Sequence, residues 1–350
     1  MRNFNSLTIL AASVALLALP AITPSRAGLV NIDTRPGSNS GAFRVEKADS
    51  FKGVTQVVIG QFSVAFMIKK VDYDGGGFLS ASDKAKAVGN LTGVSNEDFQ
   101  RITDAAYDDF LKQLTAHGIT IVDPAGMLAN KYYAKVKTEA QGEKVSVALK
   151  KEDKADALAF WPSQLGGRNN NMFLNLRLFD MNLSHTYTAQ YDYARTAKVP
   201  VLNVVYYVDF AKPATANGGR ALGGLLQTIT VKAGLAVSPF GTQATLMDTN
   251  GKLAKLSLNT AIEEGGDFAN IVETTSAVNK ATRTAGAIGG MLGRFGGGLG
   301  GAGRLASNMN SQLSAKFEYQ VTDTKAFGEK VLSAPAKTSD LVLRQMEAMR

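Results

Sequence analysis

The chain predicts a mixed α/β fold. A β-α-β-α unit over about 54–137 is extended by an antiparallel β meander over about 156–260, followed by a Gly-rich insertion and a C-terminal helix. Three observations predict it. The run Val54-Thr-Gln-Val-Val-Ile-Gly-Gln-Phe-Ser-Val-Ala-Phe66 is apolar over most of its length, as in a strand buried on both faces. Phe99, Ile102, Ala106, Phe110 and Leu114 recur at helical spacing just after it. Beyond residue 156 the chain reads as strands punctuated by Gly, Asn and Asp.

The first 27 residues read as a secretory signal peptide. Arg2 gives a positive start, Leu7–Leu19 is an apolar core too short to span a bilayer comfortably, and Ala27 suits cleavage before Gly28. The chain contains no Cys, so an exported fold must rest on its core and not on disulfides. The net charge is +8, and it falls to +6 once Arg2 and Arg26 are removed. That excess is scattered. It favours anionic surfaces slightly and excludes the clustered basic stripe that nucleic-acid binding needs.

Residues 28–52 read as a polar arm, extended and either free or docked, ahead of a mixed α/β domain over 53–284. After the first strand, Asp72-Tyr-Asp74-Gly-Gly-Gly77-Phe-Leu79-Ser80-Ala-Ser-Asp83 partly matches a calcium loop. Asp72, Asp74, Ser80 and Asp83 stand at positions one, three, nine and twelve, with Gly77 at the turn and Leu79 at the apolar position eight. Two departures set it apart: Gly76 replaces the ligand at position five, and Asp83 is shorter than the usual bidentate Glu. A plain Gly-rich loop is the alternative, and calcium is the one cofactor the sequence suggests.

Ser95 or Asn96 caps the main helix, Glu97 and Asp98 suit its positive end, and Gly118 ends it with His117 in the last turn. Ile119–Val122 reads as the second strand. Asp123-Pro124 opens a second helical segment that turns Met127, Leu128 and Val136 toward the sheet. The charged stretch 137–156 reads as a solvated helix or connector, and Asp156–Trp161 as a third strand. Met172–Leu178 alternates as a half-buried strand, and Tyr187–Tyr193 is an aromatic stretch suited to an interface or a core edge. Val199–Ala211, Gln227–Ser238, Thr242–Met247 and Lys252–Leu258 build the meander, the last two joined by a turn at Asp248–Gly251.

Asp267–Thr284 reads as a helix. The Gly-rich loop, 285–304, follows; within it Gly286–Gly303 holds ten glycines in eighteen residues. Its Gly298-Leu-Gly300-Gly-Ala-Gly303 has the letters of a dinucleotide fingerprint but no preceding strand. We read the segment as an interaction surface, with Met291, Leu292, Phe295 and Leu299 as apolar contacts and Arg294 and Arg304 as charged ones. Residues 305–350 complete the chain with a strand at Lys316–Thr322 and an amphipathic helix at Asp340–Met349.

No catalytic pattern is visible. Two His and no Cys are too few for an ordinary zinc site, and neither His has a Ser and Asp at triad spacing. Glu263, Glu264 and Asp267 read as a solvated helix start.

Several stretches, taken in order, resemble the periplasmic domain of the curli-secretion-channel family. They are Val57–Phe62 as first strand, Asp98–Leu114 as first helix, Ile119–Asp123 before a helix, Val204–Phe210, and Val231–Thr249 with Asn250-Gly251. The resemblance covers about residues 54–260 and implies a ring-forming envelope protein that exports extracellular fibre subunits. The chain has no Cys for the family's lipid anchor, and no pair of alternating transmembrane hairpins is visible in it. A pore-less periplasmic relative is what the resemblance then implies. The expected function is a non-enzymatic, exported protein of the periplasm or outer-membrane surface. It would assemble with itself or with an envelope partner, and peripheral membrane contact is open to it. The competing expectation is a soluble periplasmic ligand-binding protein or an enzyme with an unmarked site.

Overall fold

One long strand organises the molecule. β2, Gln56–Asp74, runs for 19 residues and borders four other strands. The computed structural model describes residues 41–74, 85–136, 140–148, 154–165, 181–212, 215–218, 227–265, 267–275 and 314–350, all within the unit Asn31–Arg350. These form a mixed α/β structure in which thirteen strands make one sheet.

At its start, β2 pairs in parallel with β4 (Thr120–Val122) on one edge and β7 (Val201–Ala211) on the other. Further along, β6 (Lys154–Phe160) takes the first edge and β3 (Ala85–Thr92) the second, both antiparallel. β5 (Glu143–Ala148) lies outside β6. β3 is followed by β15 (Ser314–Gln320) in parallel, and β15 by β14 (Asn270–Glu273) antiparallel. β7 is buried at every residue, as its continuous apolar sequence predicts. Its far edge carries β11 (Gln243–Met247) along one half and β10 (Ala233–Val237) along the other. β12 (Leu253–Leu258) then pairs with β11, β1 (Phe43–Glu46) with β12, and β13 (Ile262–Glu264) with β10. β8 (Thr215–Gly218) and β9 (Gln227–Thr230) form a separate two-stranded ladder that prolongs the β7–β10 hairpin.

Helix α1, Asn96–Ala116, starts at the expected place. Ser95 Oγ accepts from Asp98 N–H and Asp98 accepts in return from Ser95 N–H, a reciprocal cap. Gly118 ends it at φ +70°, where a side chain would be strained. Its apolar stripe covers the sheet through aromatic contacts. Phe62 lies 5.2 Å from Tyr107 and 5.5 Å from Phe110, and Phe66 stacks on Phe99 at 4.5 Å. Alongside lies α4, Thr324–Glu347. A second core of Val58, Met127, Tyr133, Ala189, Ala194, Val199, Val201 and Met247 joins β2, β7 and β11 to α2 (Ala125–Leu128) and α3 (Met181–Ala197).

Several expectations are corrected. Residues 72–74 belong to β2 and not to a loop, and 85–92 form β3, because these two strands pair from Lys69↔Asn90 to Asp74↔Ala85. The charged connector contains a strand, β5, held by β6. The second helical segment is only the short α2 and a 3-10 turn at Tyr133–Lys135, although Met127 and Val136 are buried as expected. The Tyr-rich stretch is part of α3. Residues 270–273 form a strand instead of a helix, since β15 offers them a ladder. The final helix begins at Thr324 and runs through Pro335, which is buried in it. From residue 41 the arm is docked, with Phe43 and Val45 fully buried. The expected strand at 172–178 lies outside the described residues.

Four buried tyrosines give the core a pH limit. Burial pushes the Tyr206, Tyr207 and Tyr319 hydroxyls well above their ordinary value of 10.0, and that of Tyr107 up to about 12. The unfolded chain ionises at the ordinary value, so the stabilisation is complete below about pH 10 and is lost as pH rises toward 12. Thermal melts should therefore fall steeply above about pH 10, with the buried tyrosines' share of the phenolate absorbance appearing only as the fold is lost. Full phenolate absorbance with intact circular dichroism would contradict this.

Candidate functional site

Two features stand out: one end of the sheet, and a small cavity beside β2.

The registers bring four hairpin ends together. Tyr73 of β2 pairs with Lys86 of β3, which pairs with Ser314 of β15. β14 runs up beside β15 to Glu273, opposite Phe317. On the other side, Val71 pairs with Lys154 of β6, which pairs with Ala148 of β5. β7 runs parallel to β2 and leaves through Ala211 into the β8–β9 ladder. The connections between Asp74 and Ala85, Ala148 and Lys154, Gly218 and Gln227, and Glu273 and Ser314 are therefore all anchored at the same end of the sheet. On β14 every residue is exposed, and Ile271 and Val272 remain 37% and 41% exposed.

A buried ion pair sits where β7 parts from β2. Lys70 Nζ donates to Asp209 Oδ2 at 2.7 Å and to the Ala211 carbonyl at 2.9 Å, with Asp72 Oδ2 at 3.9 Å. Lys70 is 6% exposed and Asp209 9%. The ammonium, with its carboxylate and carbonyl, bridges the two diverging strands, and no apolar pair could satisfy that carbonyl. Of the suggested calcium ligands, Asp72 thus lies beside a cation, Asp74 closes β2, and Asp83 lies outside the described residues. Among the described residues, no group of three or more His, Asp or Glu is placed to hold a metal.

The other named residues scatter. Met291, Leu292, Arg294, Phe295, Leu299 and Arg304 lie outside the described residues. His117 caps the C-terminal end of α1 and reaches Glu347 at 3.1 Å and Asp340 at 3.6 Å on α4. Glu263 pairs with Lys212 at 2.9 Å, Glu264 pairs with Lys337, and Asp267 accepts from Lys330 through its carbonyl at 2.7 Å. No described helix is long and apolar enough to cross a membrane, which leaves strands untested.

The cavity adjoins a bulge. β7 pairs Leu202 with Ile59 and Asn203 with Gln61, so Gly60 is an extra residue in β2. A side chain there would collide: a Cβ would lie 2.5 Å from Asn203 Oδ1 and from Val201 Cγ1, and 2.6 Å from Gln190 Nε2. On that side Gln190 and Asn203 bond through both ends of their amides, and Asn203 also reaches Thr245 Oγ1. Tyr133 donates its hydroxyl hydrogen to the Gly60 carbonyl at 3.2 Å. The bulge opens a cavity of about 10 Å³ lined by Ile59, Gln61, Met127, Leu128, Trp161 and Leu165, among others. Gln61 and Trp161 are each 3% exposed, and among the described residues neither Gln61 Oε1 nor Trp161 Nε1 has a hydrogen-bond partner. No single segment of sequence announces this site. Gln61, Met127 and Trp161 meet only through the pairing of β2 with β6 and the docking of α2.

No protein-family model, curated protein or solved structure matches this chain.

Proposed function

We propose that this chain is a non-enzymatic, exported cell-envelope protein that self-assembles or serves as an accessory component of a secretion or surface-assembly apparatus. The observation that supports this reading most is the gathering of four hairpin ends at one end of the sheet. Three of the connecting sequences are rich in Gly and large apolar residues: Gly75–Lys84, Gly219–Leu226 and Ser276–Leu313. Exposed Ile271 and Val272 beside the longest of them add apolar surface that association would cover. The apolar leader at 1–27 and the resemblance of sequence stretches within about 54–260 to the curli-secretion-channel domain support this reading.

The Gly-rich segment gives the test. Fixing ten glycines costs much backbone entropy and buries little side chain, so the segment serves a partner surface better than a monomer core. With residues 286–303 replaced by a short Gly-Ser linker, the melting temperature should stay within about 3 °C, since loop length adds slowly to closure entropy. Light scattering should show a defined oligomer for the mature chain and loss of it in the replacement. Unfolding of the replacement, or an unchanged oligomer, would contradict the assignment of association to this segment.

A further inference from the structure

We propose that Lys70 and Asp209 are the reactants of a self-catalysed condensation that ties β2 to β7 through an isopeptide bond. Lys70 Nζ donates to Asp209 Oδ2 at 2.7 Å, so the amine already touches an oxygen bonded to the carbon it would attack. Such a step also needs a group to carry a proton, and Asp72 Oδ2 lies 3.9 Å from the same nitrogen. Asp72 follows Lys70 by two positions in β2, so both side chains leave the strand on one face. The backbone of Ala211 orients the reactants. Its carbonyl accepts from Nζ at 2.9 Å, and its N–H donates to Asp209 Oδ1 at 3.1 Å.

The surroundings favour the loss of both charges. Lys70 and Asp209 are buried. Across the two ladders Lys70 faces Ala155 and Gly89, and a Cβ at Gly89 would lie 2.8 Å from Tyr319 and 3.5 Å from Phe210. Burial, and then the Asp72 and Asp209 carboxylates, push the Tyr319 hydroxyl above its ordinary value, which sets that residue beside the same cluster. An ion pair in such a place has given up its hydration, whereas an amide there carries no charge. Holding the reactants in contact is worth an effective concentration on the order of 10⁵ M or more, which offsets the preference of amine and acid to stay apart in water.

The step balances within the chain. One proton passes from the ammonium to Asp209 Oδ2 along their hydrogen bond. The neutral Nζ attacks Cγ, and the Nζ–Cγ bond forms as negative charge moves to Oδ1, where the Ala211 N–H stabilises it. Asp72 takes a second proton from Nζ and delivers it to Oδ2. The Cγ–Oδ2 bond breaks, one water leaves, and Asp72 is a carboxylate again. The product gives a cysteine-free chain a covalent tie where β7 parts from β2.

Intact mass and tryptic mapping of the purified mature protein test this. The folded chain is expected to be lighter than its sequence by one water. The loss should reside in a branched tryptic peptide that joins 70–84 to 199–220. Lys70→Arg keeps the positive charge without a reactive amine, and it should have its full sequence mass. Asp72→Asn keeps the size but not the proton carrier, and its linked fraction should be at least tenfold smaller at equal times after purification. If either variant does not fold, the mass of the unaltered chain still decides. A folded chain at full sequence mass would overturn the proposal. So would a loss of water confined to Asp74-Gly75 as a succinimide, and an undiminished link in Asp72→Asn would overturn the role given to Asp72.

Discussion

Gly60→Ala is expected to destabilise the fold by about 3 kcal/mol, the upper range for overpacking a core position. The added methyl has nowhere to go. It would sit within 2.6 Å of Asn203, Val201 and Gln190, two of which form a closed amide pair. Relief requires either breaking that pair, which leaves buried amides unsatisfied, or straightening the bulge. Straightening would shift the register of β2 on β7 by one residue and send Phe62 and Gln61 to the wrong faces. Gly118→Ala is the control. It has a strained φ of +70° but nothing within 4 Å, so it should cost only about 1 kcal/mol. Urea unfolding of the two variants measures the difference. Equal losses would mean that the bulge is not rigidly set.

Lys70→Met is expected to cost about 3–5 kcal/mol, the usual penalty for leaving one partner of a buried ion pair alone. The carboxylate of Asp209 would keep its bond from Ala211 N–H at 3.1 Å but lose its only close cation among the described residues. Two strands would also lose their bridge, because the same ammonium holds the Ala211 carbonyl. Adding Asp209→Leu should restore part of the stability, since it removes the uncompensated carboxylate, and the remainder stays lost because the Ala211 carbonyl and N–H keep no side-chain partner. The urea midpoints of the two single variants and the double variant form the cycle. A double variant that loses the sum of both single losses would contradict a direct pairing. The pair sits where β7 diverges from β2, and so it holds the hairpin ends in their arrangement.

What the sequence disclosed, it disclosed locally. Ser95 and Asp98 lie three residues apart and cap α1 by themselves, and Asp248–Gly251 closes its own hairpin, with Gly251 at φ +82°. β7 was legible because its burial leaves no polar alternation to confuse the reading. The misses are long-range in origin. β5 is an edge strand, so its sequence stays charged, and only the ladder to β6 makes it β. β3 reads Ala-Lys-Ala-Val-Gly-Asn-Leu-Thr, poor in β-formers. It is a strand because β2 and β15 flank it, with Tyr319 resting against Gly89. Pro335 hid the first half of α4; yet the helix continues past it, packed on α1, where Gln113 Nε2 donates to the Ala336 carbonyl at 3.2 Å. The cavity could not be read at all. Its lining residues Gln61 and Trp161 are one hundred positions apart in the chain, and neither Trp-Pro nor Gly-Gln-Phe carries a recognisable motif.

If the chain associates through the hairpin end of the sheet, as proposed, single-cysteine cross-linking should capture it. The chain contains no Cys, so each introduced thiol is alone. Val272→Cys places one on exposed β14 beside the hairpin ends, and Lys112→Cys places one on the exposed side of α1. Oxidation of the mature protein should give a covalent dimer through position 272 and leave the 112 variant monomeric on a denaturing gel. No dimer through 272, or equal dimer from both, would rule out association through this end of the sheet.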